Sequence, residues 1–482
     1  MTSLIVETPH GRVAGRVSGD VACFRRLPYA PPPTGPRRFA KPGEAPHWPD
    51  VRDAAGAGAI PPQLPSRLAA VMGEHFAPQS EDCLHLDIWA PQNLDKPAPV
   101  LVFIHGGAFI TGGGSLPCYD GEVLAARTGL VVVNVSYRLG VLGFLPIEGV
   151  APPNLGLHDQ IAAFRWIRET ISCFGGDPGA ITAIGQSAGA SSIAWLAALP
   201  ERPALFDRAV LMSAPFGCPP LTRAQTAAAA DDVLDALGLS RGDAAAAREA
   251  PVERLLEAQS RWLRRASAQA PLGWLPLPFM PALDDDLVPG APQAAGCDLM
   301  IGATREEFAA FHVINPALDD VPDAALRQVF EEAYGEHAQS AWQAARAARA
   351  PHTARALLGD LRTRQVFSEP SFDFAAREAR TGRPVFAYQF DWQSPMRGLG
   401  ACHCIDLPFL FGNWDAWRDA PMLAGADPDE LADLSAVFQQ SIARFAASGD
   451  PNAPGLPSWP AYGAQGAVLH FDRRISASCA AG

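Results

Sequence analysis

Ala180-Ile-Thr-Ala-Ile184, then Gly185-Gln186-Ser187-Ala188-Gly189, then Ala190-Ser-Ser-Ile-Ala-Trp-Leu196 is the stretch whose reading decides the fold. Its first five residues suit a buried strand and its last seven suit a helix. Between them the chain must turn sharply, with small residues on both sides of a serine. A tight strand-to-helix turn holds a hydroxyl exposed where an adjacent base can activate it. The pentapeptide alone is weak, and a structural Gly-Ser turn is the plain alternative. With Gly at 43 of 482 positions, G-x-S-x-G arises by chance in roughly one such chain in five. Its place between a strand and a helix carries the information.

Outward from this turn, short β-branched or aromatic runs recur at 100–104, 130–136, 208–213, 298–302 and 385–390, each ending at a turn rich in Gly or polar residues. Between them lie segments of helical spacing. His158 to Ser172, with Ile161, Phe164, Ile167 and Ile171 on one face, is the clearest. The alternation predicts the α/β class, a large mostly parallel sheet flanked by helices. Two stretches rich in Ala, Arg and Glu, about 217–295 and about 310–383, read as helical insertions able to cap a site. With no repeat and no long linker, 1–482 is expected to be one domain.

Composition excludes several classes. Apolar residues are 48% and charged residues 18%, enough to bury a large core. The net charge of −13 repels nucleic acid, so no such partner is expected. No apolar run is long enough to span a bilayer, and the start of the chain lacks a basic segment followed by an apolar one, so the expected location is the cytoplasm and no membrane partner is expected. Nine scattered cysteines are not the close-set framework of a disulfide-rich domain. Oligomeric state is not legible.

His105-Gly106-Gly107-Ala108-Phe109 closes the strand 100–104. Attack on an ester carbonyl leaves charge on oxygen, and the N–H groups of Gly107 and Ala108 can join that of Ala188 in an oxyanion hole. A phosphate loop is the alternative, but the Lys and Ser/Thr of that motif are missing. The base and its orienting acid should follow the serine in the order acid, then His, at the ends of later strands. Arg305-Glu306-Glu307 and Cys402-His403-Cys404 occupy such places. Spacing leaves Glu306 and Glu307 equivalent. His470, in an apolar run, is a rival base. In an extended segment Cys402 and Cys404 point away from His403, so a metal site is not expected there.

With these pieces in place the chain resembles the type-B carboxylesterase family, which includes bacterial para-nitrobenzyl esterases, animal carboxylesterases and cholinesterases. The resemblance spans nearly the whole chain. It is carried by Leu27-Pro-Tyr-Ala-Pro-Pro32, Arg38-Phe39, Glu81–Asp87, His105–Phe109, Asn154–Gln160, Phe174–Pro178, the serine turn, Gly302–Glu307, His403 with Leu407–Asn413, Gly449–Asn452 and Trp459-Pro460. It implies the α/β-hydrolase fold, a Ser187–Glu307–His403 triad, the oxyanion groups Gly107, Ala108 and Ala188, and a supporting hydroxyl at Ser213. It implies no cofactor, with a small-molecule ester and water as the only partners. Structural ion pairs Arg38–Glu81 and Arg138–Asp177 are implied too. Pocket residues near family positions are Gln186, Phe109, Phe216, Trp274, Leu275, Leu277, Phe279, Phe308 and Phe409.

Four departures qualify it. Gln186 stands where relatives usually carry Glu, which removes a charge beside the serine, and no Trp lies between Trp48 and Trp89 to make a cation–π platform. Cationic alcohols are therefore disfavoured and neutral apolar or aromatic esters favoured. Cys83 lacks its usual partner, which falls near Pro61-Pro62-Gln63. Phe308 replaces a small residue beside the acid. The same triad also serves amidases, carbamate hydrolases and lactonases. A non-catalytic adhesion or binding protein on this fold would lack the nucleophile.

Overall fold

The computed structural model describes residues 2–350 and 352–479. The expected domain therefore reaches beyond them at 1 and 480–482, and the second insertion at 351. In chain order the strands are β1 (Thr2–Thr8), β2 (Gly11–Ser18), β3 (Val21–Pro28), β4 (Arg52–Asp53), β5 (His85–Pro91), β6 (Ala98–Ile104), β7 (Val131–Val135), β8 (Gly176–Gln186), β9 (Arg208–Met212), β10 (Asp298–Thr304), β11 (Val385–Phe390), β12 (Val468–Phe471) and β13 (Ser476–Ser478). They form one sheet ordered β1-β2-β3-β5-β7-β6-β8-β9-β10-β11-β12-β13, with β4 beside β2. All neighbours from β7 to β12 are parallel. The edges are antiparallel, through β1, β2, β3 and β5 on one side and β13 on the other.

Burial on both faces explains why the central strands were readable as continuous apolar runs. Along β6, Val100, Val102 and Ile104 enter one core cluster and Leu101 and Phe103 the opposite one. That is the alternation a pleated strand imposes. The helix expected at 158–172 runs Leu155–Thr170. Its Ile161, Phe164 and Ile167 pack in the first cluster with Val100 and Val102. Helix Pro428–Ser448 covers the other face with Phe438, Ile442 and Phe445.

The stretch 217–295 holds helices Arg223–Leu237 and Val252–Ala268. The stretch 310–383 holds Asp323–Tyr334, Ala338–Ala348, Ala354–Thr363 and Glu369–Ala379. The last two are joined by a π-turn at Arg364–Ser368. Such bulges reorient side chains, and here Val366 and Phe367 reach the cavity described below.

Arg38 pairs with Glu81 as expected. Arg138 does not pair with Asp177. Its guanidinium meets Asp159, with Nη2 2.6 Å and Nε 2.8 Å from the carboxylate oxygens, both side chains buried. Helix Leu155–Thr170 presents Asp159 to it, whereas Asp177 at the start of β8 accepts the Gly179 N–H at 2.8 Å. Cys83 is buried and free, as are all nine cysteines apart from the exposed Cys479 and the partly exposed Cys173 and Cys218 in burial.

Candidate active site

Parallel register brings the C-terminal ends of five strands together. Ile104 of β6 lies opposite Gly185 of β8, Gln186 opposite Met212 of β9, and Met212 opposite Gly302 of β10. Thr304 of β10 pairs with Phe390 of β11. The loops after β6, β8, β10 and β11 therefore emerge at one edge, where ligands bind in open parallel sheets.

Ser187 sits between β8 and helix Ala188–Ala197 at φ 56°, ψ −120°. A non-glycine residue there stores roughly 1–3 kcal/mol of strain, which the surrounding structure must hold. Its N–H donates to Met212 O at 2.8 Å and its carbonyl accepts Ser191 N–H at 3.0 Å. The flanking glycines are steric necessities. A Cβ on Gly185 would meet the Gly189 carbonyl carbon at 2.5 Å, and one on Gly189 would meet Ile104 O at 2.0 Å.

Beside it, Gly107 (φ 112°), Ala108 (φ 56°) and Phe109 (φ 61°) are consecutive left-handed residues. Successive left-handed or turn residues aim neighbouring N–H groups into one concavity. The loop's own bonds run from the Ile110 and Thr111 N–H groups to Gly107 O, both 3.0 Å, and do not consume the Gly107 and Ala108 N–H groups. Beneath it His105 is fully buried, its Nδ1 2.8 Å from Gly106 O, and burial pushes its pKa down to about 4. Tyr137 hydroxyl donates to His105 O at 2.7 Å. Gln63, to which the sequence assigns no role at the site, clamps Gly112 through two 2.7 Å bonds, accepting its N–H and donating to its carbonyl.

The two glutamates separate. Glu306 accepts Ala401 N–H at 2.7 Å and pairs with Arg305 and Arg349. Glu307 is fully buried, accepts Thr304 N–H at 2.8 Å, and bonds His403 Nδ1 through its other oxygen. Two backbone bonds, Glu306 N–H to Ala401 O (2.9 Å) and His403 N–H to Glu307 O (3.3 Å), tie the two loops. His403 Nε2 lies 3.2 Å from the amide nitrogen of Gln186. With Glu307 accepting the Nδ1 proton, Nε2 is the free lone pair and the Gln186 amide donates to it. Phe311 and Phe367 flank the imidazole at 5.1 and 5.0 Å. The rival base His470 is on β12, bonded to Asp391 at 2.5 Å.

Ser187, Gly107, Ala108, Ala188, Gln186 and His403 line one cavity of about 330 Å³. Of the expected pocket residues, Phe109, Leu275, Leu277 and Phe308 also line it. Four others are elsewhere. Phe216 packs on Phe374 at 5.0 Å, and Trp274 lies under Arg362. Phe279 is fully buried in the first core cluster, and Phe409 is in the second, against Phe390 and Trp392. Phe279 and Phe409 found a drier environment in the core than the cavity offers, whereas Phe216 and Trp274 are half-buried. Ser213 is buried at φ 51°, and its hydroxyl has no hydrogen-bond partner among the described residues. The 63–79 loop, which the sequence reading passed over, supplies Leu68, Met72 and Phe76 to the mouth. Among the described residues no group of three or more His, Cys, Asp and Glu is arranged to hold a metal, and no helix is long and apolar enough to cross a membrane.

Comparison with known proteins identifies the family. Residues 2–479 match the model of the carboxylesterase family. The chain is 38% identical to phenmedipham hydrolase of Pseudarthrobacter oxydans and 36% identical to para-nitrobenzyl esterase of Bacillus subtilis, in each case over 96% of this chain and 93% of the relative. A solved thermophilic PNB esterase superposes with a TM-score of 0.85 at 34% identity, covering 99% of this chain and 98% of that one. The chain therefore belongs to the carboxylesterase family, a carboxylic ester hydrolase built on the α/β-hydrolase fold.

Proposed function

We propose that hydrolysis proceeds by acyl transfer through Ser187, with His403 as base and Glu307 as its orienting acid, within one α/β-hydrolase domain. The observation that carries this reading is the buried Glu307–His403 bond beside a strained serine in a single apolar cavity. Glu307 fixes the Nδ1–H tautomer, so Nε2 takes the Ser187 proton as Oγ attacks the ester. The oxyanion sits on the N–H groups of Gly107, Ala108 and Ala188; each such donor is worth about 3 kcal/mol. His403 then protonates the leaving alcohol, and a water activated by the same imidazole cleaves the acyl-enzyme. Before attack, the Gln186 amide must yield Nε2 to the serine hydroxyl. The apolar lining supports esters with apolar or aromatic acyl and alcohol parts, neutral ones included. Intact-mass measurement after fluorophosphonate treatment should show one adduct that disappears in Ser187→Ala. Labelling that survives the change refutes the nucleophile.

One relative is named for hydrolysis of phenmedipham rather than for an esterase activity, which supports a second reading in which the same triad cleaves carbamates or amides. Matched ester, amide, carbamate and lactone panels on the wild type and Ser187→Ala decide between them.

A further inference from the structure

The cavity contains a cation that the hydrolytic chemistry does not use. Arg67 belongs to the 63–79 loop and lines the same cavity as Ser187. It is half-buried, and its one hydrogen bond among the described residues is a long one, from Nη1 to Pro276 O at 3.4 Å. Pro276 lies between Leu275 and Leu277, both cavity-lining, so the guanidinium bridges two walls of the mouth. Burial lowers its pKa, and no neighbouring carboxylate acts against that shift. Arg25, Arg38 and Arg138, whose side chains are largely buried, each meet a carboxylate. Glu74, the acid on the same rim, is exposed and forms no ion pair with Arg67 among the described residues.

A guanidinium carries five donors, and one whose single protein contact is a weak carbonyl bond keeps most of them free for a ligand in the cavity. A carboxylate satisfies two at once in the fork geometry, with charge assistance. Among the described residues Glu74 is the one acid in the lining, and it is exposed to solvent, which screens its charge. Gln186 places an amide rather than a carboxylate next to the reacting centre. The net charge of −13 belongs to a surface whose field is screened within about 8 Å at physiological salt.

We propose that Arg67 forms an anion subsite in this cavity that binds a carboxylate on the substrate. The preferred substrates are then carboxylate-bearing esters, half-esters of diacids or acyloxy acids, rather than wholly neutral ones. This rests on the Ser187 reading above.

The test compares kcat/KM for carboxylate esters with that for uncharged counterparts. Monophenyl adipate against phenyl hexanoate places the charge on the acyl side, and 4-butyryloxybenzoate against phenyl butyrate places it on the leaving group. In Arg67→Gln the charged-to-neutral ratio should fall at least tenfold for one pair, mainly through KM. Arg67→Lys keeps the charge and serves if Arg67→Gln does not fold. It should lose at least threefold, because an ammonium cannot pair with both carboxylate oxygens. A ratio unchanged within twofold for both pairs, in whichever variant folds, overturns the subsite. Fluorophosphonate labelling of the same variants keeps the two readings apart. A labelled variant with an unchanged ratio removes the subsite alone, whereas activity persisting in Ser187→Ala removes the reading beneath it.

Discussion

Replacing Asp406 with Asn should change how stability depends on pH. Asp406 is fully buried just after His403, and neither carboxylate oxygen has a well-formed hydrogen bond, only weak contact with the Asp406 and Leu407 amides. Burial first, and then the charge of Glu307, push its pKa from 3.8 up to about 7, while His403 and the two amides pull the other way. The folded protein thus holds this proton more tightly than the unfolded chain. The stabilisation is complete below pH 3.8 and is lost as pH rises through about 7. Between pH 5 and 8 roughly two units of that shift are spent, about 3 kcal/mol. Unfolding entropy for a chain of 482 residues is about 1 kcal/mol/K, so this corresponds to about 3 °C in Tm. Asn cannot ionise, and any cost of its extra donors is independent of pH. The difference Tm(Asp406→Asn) minus Tm(wild type), measured by calorimetry, should be about 3 °C more positive at pH 8 than at pH 5. Titrating groups that do not interact with Asp406 cancel in that difference. A difference constant within about 1 °C across the range would show that the carboxyl is not held protonated, and the argument from burial would fail.

Gln186→Glu places a carboxylate next to His403 Nε2 and favours the imidazolium, which cannot act as base. The acid limb of kcat/KM for a neutral ester should move up by about one unit or more; an unmoved limb means residue 186 does not touch the working imidazole. Glu307→Gln leaves the geometry but loses the acceptor that sets the His403 tautomer, so kcat should fall on the order of 10³-fold to 10⁴-fold with a modest change in KM. A loss under tenfold would assign the orienting role elsewhere. Arg138→Met strands Asp159 in the core and should cost about 3–5 kcal/mol, seen as a lowered urea midpoint. Asp177→Asn should stay within about 0.5 kcal/mol, and the reverse ranking would restore the Asp177 pairing.

The central parallel strands were legible because burial on both faces writes them as unbroken apolar runs, as in Val131–Val135. The antiparallel edge, β1 to β3, was not, because residues such as Arg12, Arg16, Arg25 and Arg26 interrupt its pattern. The serine turn, the His105–Phe109 loop and His403 were readable from their positions after strands, since the chemistry needs special backbone there. Glu306 and Glu307 were not separable by spacing. Adjacent residues differ only in which way they point, and that is settled by Arg349, Ala401 and Thr304. Hydrophobicity predicted that Phe279 and Phe409 are buried, but it carries no information on whether a cavity or the core does the burying.

By itself, then, the amino-acid sequence determined the α/β order of elements and the residue types able to do acyl transfer. Periodicity and turn chemistry are local properties of the chain. Tertiary structure alone decided that Asp159 holds Arg138, that Gln186 occupies the lone pair of His403, and that Arg67 faces the cavity without a carboxylate. Each of these depends on side chains distant in sequence meeting where water is excluded, and only packing sets those distances and the local cost of leaving a charge unpaired.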